Sequence, residues 1–209
     1  MKKLFLSFVL CSFAGAIFAQ GVRFGITAGL NVSNITRNHN GVMYYLPSDW
    51  KAGFQGGFFV DYALSSNLSL IPEILITQKG YKSVLVYDDI HGSRLASTKT
   101  LNYLQLPINF AYKFDIYNGH KLFPFAGIYL SYGLSGTLKV DKYSYNINFG
   151  SSDNDDVKAL DYGVNFGIGY EFEHFILKVQ YNHGLAYMIK NYNYSEKNKN
   201  FAVTVGYMF

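Results

Sequence analysis

Cysteine is almost absent from this sequence, and charge is sparse. Cys11 is the single cysteine among 209 residues, and it lies in an apolar segment near the start of the chain. Without that segment the chain has no thiol, which excludes disulfides, cysteine nucleophiles and thiolate zinc sites. Charged residues make up only 15% of the chain, and the formal net charge is +4. A positive charge this small gives no support to a nucleic-acid partner.

Long apolar runs are also missing after the first 19 residues. A membrane-spanning helix needs roughly 20 unbroken apolar residues, and no later stretch approaches that length. The first segment has Lys2 and Lys3, then an apolar run that ends at Phe18 and Ala19 before Gln20. This order predicts a cleavable signal peptide over residues 1–19, which leaves residues 20–209 as one domain. If the mature chain enters a membrane, strands must carry it.

Aromatic residues and glycine, by contrast, are abundant. The chain is 18% aromatic and contains 19 Tyr and 20 Gly. A water-soluble core needs fewer aromatic residues, and a water-soluble surface needs more charge. A barrel that faces lipid between aromatic girdles needs this mixture. The composition therefore favours an outer-membrane barrel.

Apolar and polar residues alternate along eight segments. In residues 22–33 every even position is apolar, while the odd positions are Arg, Gly, Thr, Asn and Ser. A period of two over about a dozen residues indicates a strand, and its small polar face suits a crowded interior better than a solvated exterior. The pattern recurs at residues 54–62, 68–79, 104–112, 126–135, 160–171, 175–182 and 201–209. The apolar faces are therefore predicted to meet lipid.

The predicted connections alternate in length. They are long near residues 34–50, 82–98 and 139–156, short near residues 64–67, 115–120 and 173, and intermediate at residues 190–198. Long outer loops and short periplasmic turns are the outer-membrane arrangement, and an even strand count places both termini in the periplasm. We therefore predict an all-β fold, an eight-stranded antiparallel up-and-down transmembrane β-barrel in the bacterial outer membrane.

Three prolines count against uninterrupted strands. Proline cannot donate to a strand ladder, so we expect bulges or weakened pairing at Pro72, Pro107 and Pro124. Closure of the barrel is still required, because each unpaired amide in lipid costs several kcal/mol.

The inward positions predict a filled lumen. An eight-stranded barrel is just wide enough for its own side chains to fill it. Buried charges need partners, so we predict a polar network and little or no conductance. The predicted lumen residues carry both signs of charge and are Arg23, Asp61, Glu73, Lys79, Lys113, Asp161, Glu171 and Lys178. On this reading the closely spaced Gly163, Gly167 and Gly169 mark inward positions where the lumen excludes side chains, and they do not form a phosphate loop.

Aromatic residues cluster at the ends of the outward faces, where amphipathic rings favour the membrane interface. The predicted periplasmic belt contains Phe24, Tyr62, Tyr112, Tyr170, Phe175, Tyr207 and Phe209. The predicted outer belt contains Phe54, Tyr132, Tyr162 and Phe201.

The order of several motifs resembles a known family. The motifs are GITAGLNVS at residues 25–33, PEIL at 72–75, QKG at 78–80, YLQLP at 103–107, AGIY at 126–129, DYG at 161–163 and YNHGL at 181–185. They resemble the outer-membrane β-barrel family called porin-family or PorT-like. The resemblance implies the barrel fold, and it associates some relatives with a protein-secretion system. It brings no catalytic residues. The C-terminal Tyr207 and Phe209 also resemble the signature that the barrel assembly machinery reads.

The sequence gives little evidence for catalytic residues. The histidines show no ligand spacing on one face, and they are His39, His91, His120, His174 and His183. His91, Ser93 and a preceding aspartate would make a triad only if neighbours in one loop met the required geometry. His183 is near the predicted outer leaflet, where some lipid A deacylase barrels place a histidine and a serine two residues apart, but position 185 here is Leu. We predict no enzyme activity, no cofactor and no metal.

Two loop features suggest ligands. Residues 153–156 form an acidic cluster, for which calcium binding is the alternative to simple solvation. Lys190, Lys197 and Lys199, with Tyr192 and Tyr194, are predicted to face lipopolysaccharide and its phosphates.

The predicted function is a structural or interaction barrel whose extracellular loops contact ligands or envelope proteins. The alternatives are a lipid-modifying outer-membrane enzyme and a narrow small-solute pore. The expected partners are outer-membrane lipid, lipopolysaccharide and the barrel assembly machinery, with other envelope proteins as possible partners of the loops.

Overall fold

The computed structural model of the protein describes residues 21–39, 42–43, 48–86, 94–150, 155–191 and 194–209. The predicted signal peptide lies outside these ranges. Within them, no helix is long and apolar enough to cross a membrane.

Eight long strands form a closed ring. They are β1 (Val22–His39), β2 (Ser48–Ala63), β3 (Leu68–Val86), β4 (Arg94–Tyr112), β5 (His120–Val140), β6 (Leu160–Phe172), β7 (Phe175–Gly184) and β8 (Tyr194–Met208). Each strand pairs antiparallel with the next along the chain. The ring closes because β8 also pairs antiparallel with β1, from Gly25 opposite Met208 to His39 opposite Tyr194. The predicted all-β, eight-stranded antiparallel barrel is confirmed.

Six short strands lie outside this ring. Val42–Met43 pairs with β1, Phe114–Tyr117 and Tyr143–Ile147 pair with β5, and Lys190–Asn191 pairs with β8. Phe149–Gly150 and Val157–Lys158 form a separate parallel pair.

The two ends of the barrel differ in their connections. Turns at residues 64–67, 118–119 and 173–174 lie at one end, where Gly21 and Phe209 also lie. We call this the turn end and the opposite one the loop end. The loop end carries the connections after β1, β3, β5 and β7.

The alternation of side chains determines the two faces of the wall. Leu30 is 73% exposed, whereas the next residue, Asn31, is 3% exposed. This reversal continues around the ring, so Leu, Ile, Val and Phe cover the outside while Asn, Gln, Ser, Thr and charged residues are buried inside. A water-soluble barrel would show the opposite arrangement, and an apolar outer face is what lipid requires.

Six strands, β1 to β5 and β8, extend at least five residues further toward the loop end than predicted. β1 continues to His39 through a segment predicted as loop, and β8 begins at Tyr194 and not at residue 201. The continuing pairs include Asn34 opposite Lys199 and Thr36 opposite Lys197, so both outward faces have become polar. The predicted loop bounds were wrong because apolar alternation marks where a strand meets lipid, whereas its hydrogen bonding continues beyond the lipid.

The prolines weaken pairing at all three expected places. The β2–β3 ladder passes from the pair Phe59–Glu73 to Tyr62–Leu70, so Pro72 has no partner in β2. The β3–β4 ladder passes from Pro72–Ile108 to Leu75–Gln105, so Pro107 has no partner in β3. Neither gap shifts the register, so no bulge forms there. The pairing with β5 likewise passes from Ala111–Phe125 to Phe114–Leu122, so Pro124 has no partner in β4, although it stays paired with Ile168 in β6.

A bulge occurs instead between β4 and β5. Asn102 pairs with Ser135 and Tyr103 with Gly133, which leaves Leu134 as an extra residue in β5. The extra residue reverses the alternation, so Ser135 is exposed and Leu138 is turned toward the interior. A period of two continued from residue 126 predicts that Ser135 points inward, and this prediction is wrong because of the bulge.

Candidate functional site in the barrel lumen

Four charged residues form a closed cluster inside the turn end. We call Arg23, Asp61, Lys113 and Glu171 the turn-end charge cluster. Arg23 donates to Asp61 and to Glu171, each at 2.5 Å. Lys113 donates to Asp61 and, at 2.7 Å, to Glu171. Two cations and two carboxylates from four sides of the barrel thus neutralise one another.

A second group lies further into the lumen. Lys178 of β7 donates to Glu73 of β3 at 2.6 Å, which joins opposite parts of the wall. Asn109 donates to the same carboxylate oxygen at 3.2 Å, and Asn165 donates to Asn109 at 2.5 Å. These contacts extend across the lumen from β3 to β7.

A third group surrounds Lys79, whose side chain is 0% exposed. Lys79 donates to Asp161 at 3.2 Å, and its ammonium lies over the rings of Tyr129 at 4.6 Å and Tyr103 at 5.2 Å. Asn198 donates to the same Asp161 oxygen at 2.9 Å. The eight residues predicted for the lumen are therefore distributed over these three groups.

A fourth group lies toward the loop end and was not predicted. Arg37 donates to Glu196 at 3.0 Å, and Tyr81 donates to the same carboxylate at 3.2 Å. The Arg37 guanidinium lies over the Tyr81 ring at 4.9 Å, and the Lys99 ammonium lies 5.9 Å from that ring. Arg37 and Glu196 lie in segments that were predicted as loops.

Inward aromatic rings were also missed. Phe59, Phe123 and Phe125 are buried in an apolar cluster at the turn end, beside the charges. Gly163, Gly167 and Gly169 of β6 pair with Tyr129, Phe125 and Phe123 of β5. A methyl group built on Gly169 would come within 2.1 Å of the Phe123 ring. These glycines make room for the facing rings. The strand phase places these rings inward, so the signal was available in the sequence.

Not every buried polar atom has a direct partner. Among the described residues, Asn182 Nδ2 and Asn200 Nδ2 are buried without a hydrogen bond, as is Thr204 Oγ1. They lie on β7 and β8, and β7 is paired with β6, the strand that carries the glycines. The interior is therefore crowded, but some of its buried polar atoms lack a direct partner.

Aromatic rings surround the exterior at both ends. At the turn end the ring of Tyr207 lies 5.7 Å from that of Phe209 and 5.4 Å from that of Phe175. At the loop end Phe201 lies 4.5 Å from Tyr181 and 5.7 Å from Trp50. Of the residues predicted for the two belts, Tyr62 is half-buried and all the others are exposed.

The histidines whose side chains are described contact aromatic rings. His120 stacks on Phe172 at 4.2 Å, and His174 stacks on Tyr207 at 5.7 Å. His183 lies at hydrogen-bond distance, 3.3 Å, from the hydroxyl of Tyr181. The predicted triad around residue 91 lies outside the described residues, as does the side chain of residue 39.

The acidic cluster and the predicted lipopolysaccharide contacts are only partly described. Residues 153 and 154 lie outside the described ranges, and Asp156 accepts the backbone N–H of Asn148 at 2.9 Å. In the described part of the chain no three His, Cys, Asp or Glu residues are placed to hold a metal ion. Residue 192 and the side chains of residues 190 and 194 are not described, and Lys197 lies over the Tyr187 ring at 4.7 Å.

Comparison with known proteins identifies the class of this barrel. The family model described as outer membrane protein beta-barrel domain matches residues 18–190. The chain belongs to this family, and it is a protein of the bacterial outer membrane that lies among that membrane's lipids. The narrower PorT-like resemblance stays a prediction. No match was found among curated proteins.

Several solved barrels resemble the chain at low identity. OprG from Pseudomonas aeruginosa is 9% identical, with a TM-score of 0.48, over 91% of this chain and 97% of that one. Neisserial surface protein A is 15% identical, with a TM-score of 0.47, over 91% and 100%. Ail, the attachment invasion locus protein of Yersinia pestis, is 12% identical, with a TM-score of 0.42, over 91% and 99%.

Proposed function

We propose that this protein is a structural or interaction barrel with a closed lumen, and that the loop end carries its function. The packing of side chains in the middle of the lumen supports this proposal. Lys79 is fully buried there, bonded to Asp161 and flanked by the rings of Tyr103 and Tyr129. A hydrated ion would have to separate these groups in order to pass.

The proposed orientation puts the loop end outside the cell and both termini in the periplasm. In outer-membrane barrels the short turns are periplasmic and the longer loops extracellular. The longest connection here, residues 141–159 between β5 and β6, lies at the loop end, and the two-residue turn at 173–174 lies at the turn end. Residues for recognition would then concentrate in the loops, which a rigid strand scaffold positions.

The proposed partners follow from this orientation. Lys197 and Lys199 point outward beyond the apolar band on β8, where they would meet phosphates of lipopolysaccharide. Tyr207 and Phe209 are exposed at the turn end, where the barrel assembly machinery would contact them. Envelope proteins are the proposed partners of the loops.

We propose no catalytic activity. The described histidines are engaged with aromatic rings, and none of them is hydrogen-bonded to a serine or carboxylate as a base would be. Lipid analysis tests this proposal. Outer-leaflet lipid from cells with and without the protein should be identical in mass spectra, and any acyl chain or headgroup change that needs the protein would favour the enzyme instead.

Conductance in a planar bilayer tests the closed lumen. The purified protein should give no steady current, because the Lys79 group blocks the middle of the barrel. A variant with Tyr103→Ala and Tyr129→Ala removes the two flanking rings and should pass measurable current. Large steady currents through the unaltered protein would overturn the closed-lumen proposal and favour the small-solute pore.

Capture from native membranes tests the role of the loop end. Tagged protein in its own membrane would be crosslinked and purified beside a variant in which a short turn replaces residues 87–93. A partner that crosslinks to the unaltered protein and is lost from the shortened variant supports a role for the loop end. Identical sets of crosslinked partners would contradict it.

A further inference from the structure

A cavity at the loop end contains a buried cation without an ion-pair partner. The cavity has a volume of about 320 Å³. Lys99 lines it and is only 7% exposed. Among the described residues, no carboxylate lies within ion-pair distance of its ammonium, and no hydrogen bond holds it. Burying an unpaired ammonium is costly, so an anion that enters the cavity gains a strong interaction.

The other charges around the cavity are already engaged. Glu196 accepts from Arg37, which also lines the cavity, at 3.0 Å and from Tyr81 at 3.2 Å. Asp156 lines the cavity but accepts the backbone N–H of Asn148 at 2.9 Å. Lys99 is attracted to Glu196 and Asp156, but these contacts leave its ammonium without a direct ion pair or hydrogen bond in the described part of the chain.

The remaining lining is amphipathic. Tyr81, Leu138, Tyr145 and Ile147 contribute apolar surface, and Ser83, Ser97 and Asn146 contribute polar groups. Leu138 is present because the bulge at Leu134 turns it inward. A cavity of this volume is at the lower end of the range of small-molecule sites. An apolar wall with one available ammonium suits a ligand with an apolar body and a single anionic head.

We propose that the loop-end cavity binds a small amphiphilic anion, such as an aromatic or aliphatic carboxylate, with its head on Lys99 and its body against Leu138 and Tyr145. The site does not depend on the closed lumen, because the Lys79 group lies deeper in the barrel. Failure of the conductance test would therefore leave this proposal in place, and failure of this proposal would leave the closed lumen in place.

The test compares 2-naphthoate with its uncharged analogue 2-naphthamide. The full-length mature protein would be placed in nanodiscs of zwitterionic phosphatidylcholine, and binding would be measured by isothermal titration with empty nanodiscs subtracted. A hydrogen bond to a charged group should make naphthoate bind at least about tenfold more tightly than naphthamide. Equal affinity for the acid and the amide would overturn the proposal, and this comparison needs no variant.

Two lysine variants locate the site. Lys99→Gln should remove the preference for the acid. Lys139→Gln is the matched control, because Lys139 is exposed on the outer face of β5 and does not line the cavity. It should keep the preference. Retention of the preference in the Lys99→Gln protein would overturn the assignment of the anionic head to Lys99.

Two further measurements separate the head from the body. Inorganic phosphate alone should bind more weakly than naphthoate, because it gains no apolar contact. Leu138→Trp, which fills the cavity, should weaken both naphthoate and naphthamide. Phosphate binding as tightly as naphthoate, or naphthoate binding unchanged in Leu138→Trp, would overturn the amphiphilic assignment.

Discussion

Two buried lysines near opposite ends of β4 differ in whether they form ion pairs. Lys113, just beyond the turn end of the strand, is 4% exposed and is bonded to Asp61 and Glu171. Lys99, near the loop end, is 7% exposed and has no ion pair among the described residues. Both point inward on the same strand phase. At the turn end Lys113 is paired with protein carboxylates, whereas at the loop end Lys99 has no such pair among the described residues.

This difference separates the structural part of the lumen from the part available to ligands. At the turn end the charge cluster lies beside the apolar cluster that contains Phe59, Phe123 and Phe125, so that end is packed. At the loop end a cavity of about 320 Å³ lies beside Lys99. Substitutions at the turn end should therefore affect the free energy of unfolding, and substitutions at the loop end should affect binding.

Removing Lys113 should have the largest effect. Lys113→Met leaves Arg23 as the only cation bonded to Asp61 and Glu171 among the described residues, and breaking a buried pair in this way costs about 3–5 kcal/mol. Urea unfolding in phosphatidylcholine vesicles, followed by the fluorescence of the single tryptophan, Trp50, measures the loss. Lys121→Gln is the control. It breaks a 3.6 Å pair between the partly exposed Lys121 and the exposed Asp115, and should cost less than about 1 kcal/mol. Equal losses would remove the distinction between the buried cluster and the surface.

The packing of the turn end gives the next largest effect. Gly169→Ala puts a methyl group within 2.1 Å of the Phe123 ring, and overpacking of this kind costs about 1–3 kcal/mol. Gly56→Ala is a milder control, because its nearest neighbour is the Thr27 carbonyl oxygen at 3.1 Å. Adding Phe123→Leu should restore part of the loss in the Gly169→Ala protein, which a double-mutant cycle measures. Additive losses would show that the ring and the glycine are not coupled.

The eight strands and their inward faces could be predicted because lipid imposes a strict pattern. Every residue on the outer face of the apolar band must tolerate hydrocarbon, so the period of two is clear between Val22 and Val32. The strand alternation alone could not predict which charged residues pair with each other inside the barrel. Glu73 and Lys178 meet across the lumen, and their contact depends on the closure and register of the ring.

The loop end could not be predicted in the same way. Beyond the lipid the outer face becomes polar, as at Asn34 and Thr36, so alternation no longer distinguishes strand from loop. Lys99 lies two, four and six residues before Leu101, Tyr103 and Gln105, all of which point inward. Extending that phase would have placed Lys99 inside the barrel. The bulge at Leu134 had no comparable signal, because it depends on the pairing of β4 with β5.

The exterior of the loop end should contribute a smaller amount to stability. The Tyr181 ring lies 4.5 Å from Phe201 and 5.4 Å from Phe166, and pairs of this kind contribute about 0.5–1.5 kcal/mol beyond their area. Tyr181→Leu keeps an apolar side chain and should lower the free energy of unfolding by about 1 kcal/mol in the same vesicles. Val179→Leu, on the same outward face, is the control and should change little. No difference between the two variants would argue against an aromatic girdle that stabilises this end.

The smallest effect on stability is expected at Lys99. It tests directly whether Lys99 and Lys113 differ in their contribution to stability. Lys99→Met is the same substitution as Lys113→Met, on the same strand phase and at nearly the same burial. Because Lys99 has no ion pair to lose and its buried ammonium is costly to keep, the free energy of unfolding should stay unchanged or rise slightly, by less than about 1 kcal/mol. The same urea titration measures both variants. A loss of several kcal/mol in Lys99→Met would mean that the lysine stabilises the loop end, and the two ends would then treat their cations alike.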